Sequence, residues 1–323
     1  MSAISRHAHA SPLSNFVNSM TSIDINALDP QLPLPMQAAT DYATATLGWA
    51  QQVPDSLILA RNVAYGADPA QNYDVFGDPQ YHRQPALIFL HGGGWTHGYK
   101  EWCAFMAEPV AQLGMCLVTP NYRLAPQHRL PAAYEDCLAL LHHFYEHAAQ
   151  FGADPSHIYL AGHSAGGHLA LLTALRRAEV GIPNGAIRGC LSISGILDLH
   201  HPQPAPGSLE EAVYTKVLRE PLDDALMSPL SWGAGNTLPV LLSYGEQDTA
   251  RVRLSNHRMA AILALQPAEM QLHCEAELDH FATHLSLRDG QAPWYERLAR
   301  LAGSYSTLPR RLQGSSVLQS RCC

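Results

Sequence analysis

The stretch Ile158-Tyr159-Leu160-Ala161-Gly162-His163-Ser164-Ala165-Gly166-Gly167 sets a serine at the centre of Gly-x-Ser-x-Gly. An apolar run precedes it, and the helix-forming residues Leu169, Ala170, Leu171 and Leu172 follow. That order predicts a strand, a sharp turn and a helix, with Ser164 at the apex. The turn drives Ser164 towards positive φ, which costs a residue with a Cβ on the order of 1–2 kcal/mol. Gly162 and Gly166 flank it because side chains there would collide as the helix folds back on the strand. The hydroxyl is thereby held clear of the backbone, beside a helix N-terminus whose dipole favours developing negative charge. Such a serine suits attack on a carbonyl carbon.

A serine nucleophile needs a base, and the base needs an orienting group. In a strand–helix repeat both belong on loops at the C-terminal ends of later strands, in the order Ser, Asp, His. The loop after 240–244 offers Glu246 and Asp248; the region from 270 onwards offers His273, His280 and His284. Asp248 is read as the orienter and His280 as the base. Glu246 stays open as a substitute for Asp248, as do His273, which falls inside a strand, and His284, which falls at a helix start. Upstream, His91-Gly92-Gly93-Gly94-Trp95 follows a buried apolar run. Three glycines let backbone N–H groups approach a substrate closely, so Gly93, Gly94 and Ala165 are the expected oxyanion donors. Trp95, His163 and Trp232 are expected to line the substrate pocket.

Composition narrows the classes. The chain has 323 residues, 47% of them hydrophobic, with a net charge of −8. That supports a large core, and with no Lys/Arg stripe it argues against a nucleic-acid partner. No apolar run approaches bilayer-spanning length, and residues 1–20 lack the continuous hydrophobic stretch of a signal peptide. Seven cysteines, an odd number and widely spaced, read as reduced thiols of a cytoplasmic protein. Eighteen histidines show no ligand spacing, so neither a metal nor another cofactor is expected. The expected partner is a small ester or amide substrate, with no membrane; a homodimer is an allowed arrangement.

The elements that must hold these groups follow from periodicity. Residues 1–35 read as a mobile or loosely draped arm, and 36–52 as an amphipathic helix. Strands 57–63 and 71–76 form a hairpin. Buried strands follow at 86–90, 115–119, 158–163, 187–193, 240–244 and 270–274. Helices are expected at 105–113, 132–151, from 165 on, at 252–264 and at 292–303. A hairpin followed by this alternation implies an α/β fold, a mainly parallel sheet with helices on both faces. Residues 196–237 interrupt the rhythm and read as a small inserted cap with a helical piece at 209–218. The domain is thus 36–303, and 304–323 reads as a disordered tail.

Taken together, HGGGW, the YRLAP of Tyr122 to Pro126, GHSAGG, GEQD and DHF resemble the α/β-hydrolase superfamily, in its hormone-sensitive-lipase-like esterase branch, over about residues 55–303. GHSAG followed by His-Leu-Ala, the ISGILDL of residues 193–199 and the LDHF of 278–281 resemble the kynurenine formamidase group. HGGGW in place of HGGYW, and Leu130-Pro131-Ala132-Ala133 after YRLAP, follow the esterase pattern instead. The resemblance implies a serine hydrolase with Ser164, Asp248 and His280 as its triad. The expected activity is short-chain carboxylesterase, with aryl formamidase as the alternative. A non-catalytic binding protein on the same fold is more remote, because such relatives usually lose a triad member.

Overall fold

The hairpin predicted near the head of the chain forms: β1 (Ile58–Ala64) pairs antiparallel with β2 (Asn72–Phe76). The computed structural model describes residues 23–303. Six further strands complete one eight-stranded sheet: β3 (Gln84–Leu90), β4 (Cys116–Pro120), β5 (Ala153–His163), β6 (Ile187–Ile193), β7 (Val240–Gly245) and β8 (Met270–Glu275). The order is β1-β2-β4-β3-β5-β6-β7-β8, antiparallel as far as β4 and parallel from β4 to β8. Strands buried on both faces need apolar residues, and β3, β4 and the second half of β5, from Ile158, carry them.

Nine α-helices lie among the described residues: α1 (Gln37–Ala50), α2 (Ala107–Gln112), α3 (Ala132–His147), α4 (Ala165–Leu175), α5 (Leu209–Ala212), α6 (Asp223–Met227), α7 (Ala250–Leu263), α8 (Ala282–Leu285) and α9 (Pro293–Leu301). Residues of α3, α4 and α7 share one apolar core, and those of α1, α2 and α9 share another, so the sheet is covered on both faces. All parallel strands present their C-terminal ends at one edge. The loops after β3, β5, β7 and β8 therefore meet there, each carrying a group singled out above.

Local departures have local causes. Instead of one helix over 105–113, Lys100–Met106 winds as a 3-10 helix and α2 begins at Ala107. Pro109 lacks an N–H, so an α-helix accepts it only in the first turn. The helix at 132 ends at His147, passes through a 3-10 turn and stops at Gly152, whose φ is 71°. Within 196–237 the expected helical piece is split into α5 and a π turn at Val213–Val217. Leu218 then leaves in extended form and bridges Leu130.

Part of the segment read as a loose arm is fastened. Ile23 is buried, and the Gln31 side chain both accepts from the Gly98 N–H and donates to its carbonyl, at 2.8 Å each. Residues 1–22 and the whole of the expected tail, 304–323, lie outside the described residues, as do Cys322 and Cys323. Cys103, Cys116, Cys137 and Cys190 are free and buried. Among the described residues no helix is long and apolar enough to cross a membrane.

Candidate active site

β5 ends at His163 and α4 begins at Ala165, leaving Ser164 alone in the turn at φ 56°, ψ −119°. The flanking glycines are there for want of space. A Cβ on Gly162 would stand 2.4 Å from the Gly166 carbonyl carbon, and one on Gly166 would stand 2.1 Å from the Leu90 carbonyl oxygen. Every residue of α4 from Ala165 to Ala174 is buried. A helix enclosed on all sides is a rigid mount for the turn at its head.

Two loops bring partners to Ser164. His280, between β8 and α8, puts Nε2 2.8 Å from the Ser164 Oγ and Nδ1 2.7 Å from the Asp248 Oδ1. Because a carboxylate only accepts, Nδ1 donates to Asp248, and Nε2 faces the serine hydroxyl. Asp248, in the loop between β7 and α7, is almost wholly buried. Burial alone would raise its carboxyl pKa. The bonds from His280, from the Ser194 hydroxyl (2.6 Å) and from the Gly245 N–H (2.9 Å) outweigh that and hold it below the usual carboxylate range. An ionised carboxylate, an imidazole and a serine hydroxyl thus stand in one line.

The alternatives are placed elsewhere. Glu246 accepts a bond from the Glu277 N–H at the surface. His273 lies in β8 and bonds Gln271. His284 is buried in α8, where Tyr42 Oη approaches its Nδ1 at 2.7 Å and burial pushes its pKa down to about 3.

The glycine loop after β3 abuts the serine: a Cβ on Gly92 would stand 3.3 Å from the Ser164 Cβ. Gly93 (φ 116°) and Gly94 (φ 60°) adopt conformations that L side chains rarely take. Among the described residues their N–H groups enter no hydrogen bond, while the Gly93 carbonyl accepts from Thr96 and His97. The Ala165 N–H heads α4, where the first N–H groups lack intrahelical acceptors. Leu209 of α5 reaches over this loop, its Cδ1 3.8 Å from where a Cβ on Gly94 would stand.

The three expected pocket residues have different surroundings. Trp95 is buried against α4, its indole N–H donating to the His168 Nδ1 at 3.2 Å. Trp232 bonds the Leu226 carbonyl and lies 4.2 Å beneath the Arg176 guanidinium. Arg176 caps the far end of α4, roughly 18 Å along the helix from Ser164. His163 is buried, and its Nε2 lies 2.7 Å from the His280 carbonyl oxygen. A cavity of about 430 Å³ that Asp29, Lys100, Asn121 and Tyr122 help to line includes none of Ser164, Asp248 and His280.

Sequence reasoning passed over two hydroxyls. Ser194 follows β6 at φ 49° and bonds Asp248; Thr283 donates to the His280 carbonyl at 2.8 Å and stands 3.0 Å from the Ser194 Oγ. A hydroxyl at the end of the strand beside the one leading to Asp248 was the signal available for Ser194. Nothing in the spacing pointed to Thr283.

Known proteins resemble this chain in sequence and in fold. Esterase LipC of Mycobacterium tuberculosis is 32% identical over 205 residues, 58% of this chain and 51% of that one. Carboxylesterase NlhH of the same organism is 38% identical over 137 residues, 41% of this chain and 42% of that one. The chain thus spans about half the length of these curated relatives. An esterase of Pyrobaculum calidifontis superposes with a TM-score of 0.70 at 20% identity, covering 87% of this chain and 95% of that one, which speaks for the fold. A family model described as the alpha/beta hydrolase fold matches residues 87–284, more than half of the sequence. The chain belongs to the α/β-hydrolase family.

Proposed function

We propose that this protein is a serine carboxylesterase acting on short-chain esters through an acyl-enzyme. The carrying observation is the hydrogen-bonded line from the Ser164 Oγ through His280 to Asp248, at 2.8 and 2.7 Å. In this reading His280 Nε2 takes the serine proton as Oγ attacks the ester carbonyl. The N–H groups of Gly93, Gly94 and Ala165 receive the oxyanion. His280, transiently cationic and stabilised by the Asp248 carboxylate, then protonates the departing alkoxide oxygen. Water enters with His280 as base and releases the acid, restoring the serine.

Two features support an ester and a small acyl group. The relatives named above are an esterase and a carboxylesterase. Ser164 is only 6% exposed, with Leu209 over the neighbouring loop. A methylene that fits an apolar pocket contributes about 0.8 kcal/mol, whereas one forced into filled space costs about 1–3 kcal/mol. The chain-length profile therefore breaks where space ends. Measuring kcat/KM for p-nitrophenyl acetate to octanoate, beside N-formylkynurenine, tests this. A maximum between acetyl and butyryl with collapse by octanoyl is expected. A preference for the formamide above about a hundredfold, near 2.7 kcal/mol of differential transition-state binding, would overturn the ester reading.

A further inference from the structure

We propose that His163 is a positioning residue: its Nε2–H grips the backbone of His280 and so fixes the base against the nucleophile next to which His163 itself stands in the chain. The inference rests on the serine-hydrolase reading above. Its starting point is that the ring of His280 is tied to Ser164 and Asp248, but a ring is only as steady as the backbone bearing it. The His280 carbonyl is held twice, by Thr283 Oγ1 at 2.8 Å and by His163 Nε2 at 2.7 Å. Thr283 stands three residues further along the same segment, in α8. His163 ends β5 in the middle of the sheet, one peptide bond from Ser164, so this bond references the base to the strand that carries the nucleophile.

The chemistry of the contact is specific. A carbonyl oxygen only accepts, so His163 must carry its proton on Nε2 and leave Nδ1 bare. Nδ1 is buried without a partner, and a Cβ on Gly92 would stand 3.0 Å from it, so there is little room on that side. The ring cannot swing away. It stacks on His284 at 5.2 Å and 13°, lies 5.0 Å from the His280 ring and 5.9 Å from Tyr42 of α1. Tyr42 in turn meets His284 through its hydroxyl, so the first helix braces the stack. Burial, then the neighbouring His280 and His284, keep the His163 pKa well below that of a free imidazole. A neutral gripping residue suits a site whose base becomes cationic during turnover, since a second charge 5.0 Å away would oppose that step.

The test pairs two substitutions. The Gln amide nitrogen mimics imidazole Nε2, so His163→Gln retains a donor, whereas His163→Phe keeps a flat ring and removes it. His163→Phe is expected to lower kcat on p-nitrophenyl acetate roughly 10- to 100-fold through a looser Ser164–His280 geometry, with KM little changed. His163→Gln is expected to recover most of that loss. Equal losses in both variants, an undiminished kcat in His163→Phe, or a loss confined to KM would overturn the proposal. Should His163→Phe not fold, the wild-type protein decides: long-range 1H–15N spectra of the histidine rings at neutral pH are expected to show His163 as the neutral Nε2–H tautomer, and an Nδ1–H tautomer or a cation would refute the grip. Ser164→Ala assayed alongside separates the two levels. Activity surviving that change removes the serine-hydrolase reading itself, while its loss beside an unaffected His163→Phe removes only this inference.

Discussion

Asp248 is held on both oxygens: His280 takes Oδ1 at 2.7 Å and the Ser194 hydroxyl takes Oδ2 at 2.6 Å. The carboxylate is therefore fixed from the strand beside its own as well as by the imidazole bonded to it. Ser194→Ala removes a bond to a buried charged group, a loss of about 1.5–3 kcal/mol in stability. Melting of the variant beside wild type checks this. A fall in kcat of about tenfold is expected with it, because a carboxylate released on one side orients the ring less well. An unchanged Tm together with an unchanged kcat would show the Ser194 bond to be without consequence.

Asp248→Asn is expected to cost roughly 10⁴ in kcat by favouring the wrong imidazole tautomer. Glu246→Gln is the matched control, since the Glu246 side chain accepts from the Glu277 N–H at the surface. Steady-state kinetics of the two variants decides between the carboxylates. Greater damage from the Glu246 change would reverse the assignment.

The turn at Ser164 tolerates no side chain at Gly166, where a Cβ would lie 2.1 Å from the Leu90 carbonyl oxygen. Relief requires backbone movement, so Gly166→Ala should destabilise by about 3 kcal/mol or more. At Gly94 the nearest atom to a Cβ is 3.8 Å away and only the φ of 60° is strained. Gly94→Ala should therefore cost only about 1–2 kcal/mol. Urea unfolding of both measures the contrast, and equal costs would contradict it.

Acid sensitivity follows from buried neutral histidines. Burial pushes His91 and His168 down to about 4 and His284 to about 3, from the ordinary 6.5. Between pH 6.5 and 4 the unfolded chain binds protons at these rings that the folded chain refuses, so stability rises with pH across that window and falls as pH drops through it. Asp248, whose carboxyl is lowered, adds stability that is full above its unfolded pKa of about 3.8 and fails only in stronger acid. Tm is expected to decline steadily from pH 6.5 to 4. A flat profile would show these rings to be protonated in place.

How much of this was legible in the residues differs from one part to the next. Gly162, Ser164 and Gly166 announce their turn because strain and crowding there admit few residue types. The strands were legible because burial on both faces imposes apolar runs. His280 could be set above His273 and His284 because it falls in a loop, where they fall in a strand and at a helix start. Glu246 and Asp248 share one loop, and chain order does not separate them. The surroundings of Trp95, His163 and Trp232 were not legible: whether an aromatic ring faces a cavity, packs beneath a helix or stacks on Arg176 depends on contacts between distant segments. The contacts of Tyr42 with His284 and of Thr283 with Ser194 escaped notice for the same reason, since each joins distant segments.

The central claim is that Ser164 is the nucleophile, and the most direct measurement is labelling by a fluorophosphonate probe followed by peptide mass analysis. A serine activated by a base and set beside oxyanion donors reacts far faster with such a probe than an ordinary serine. A single adduct on Ser164 is expected, absent from Ser164→Ala, with kcat reduced by roughly 10⁴ or more in that variant and the fold intact. Undiminished labelling of Ser164→Ala, or an adduct on another serine, would contradict it.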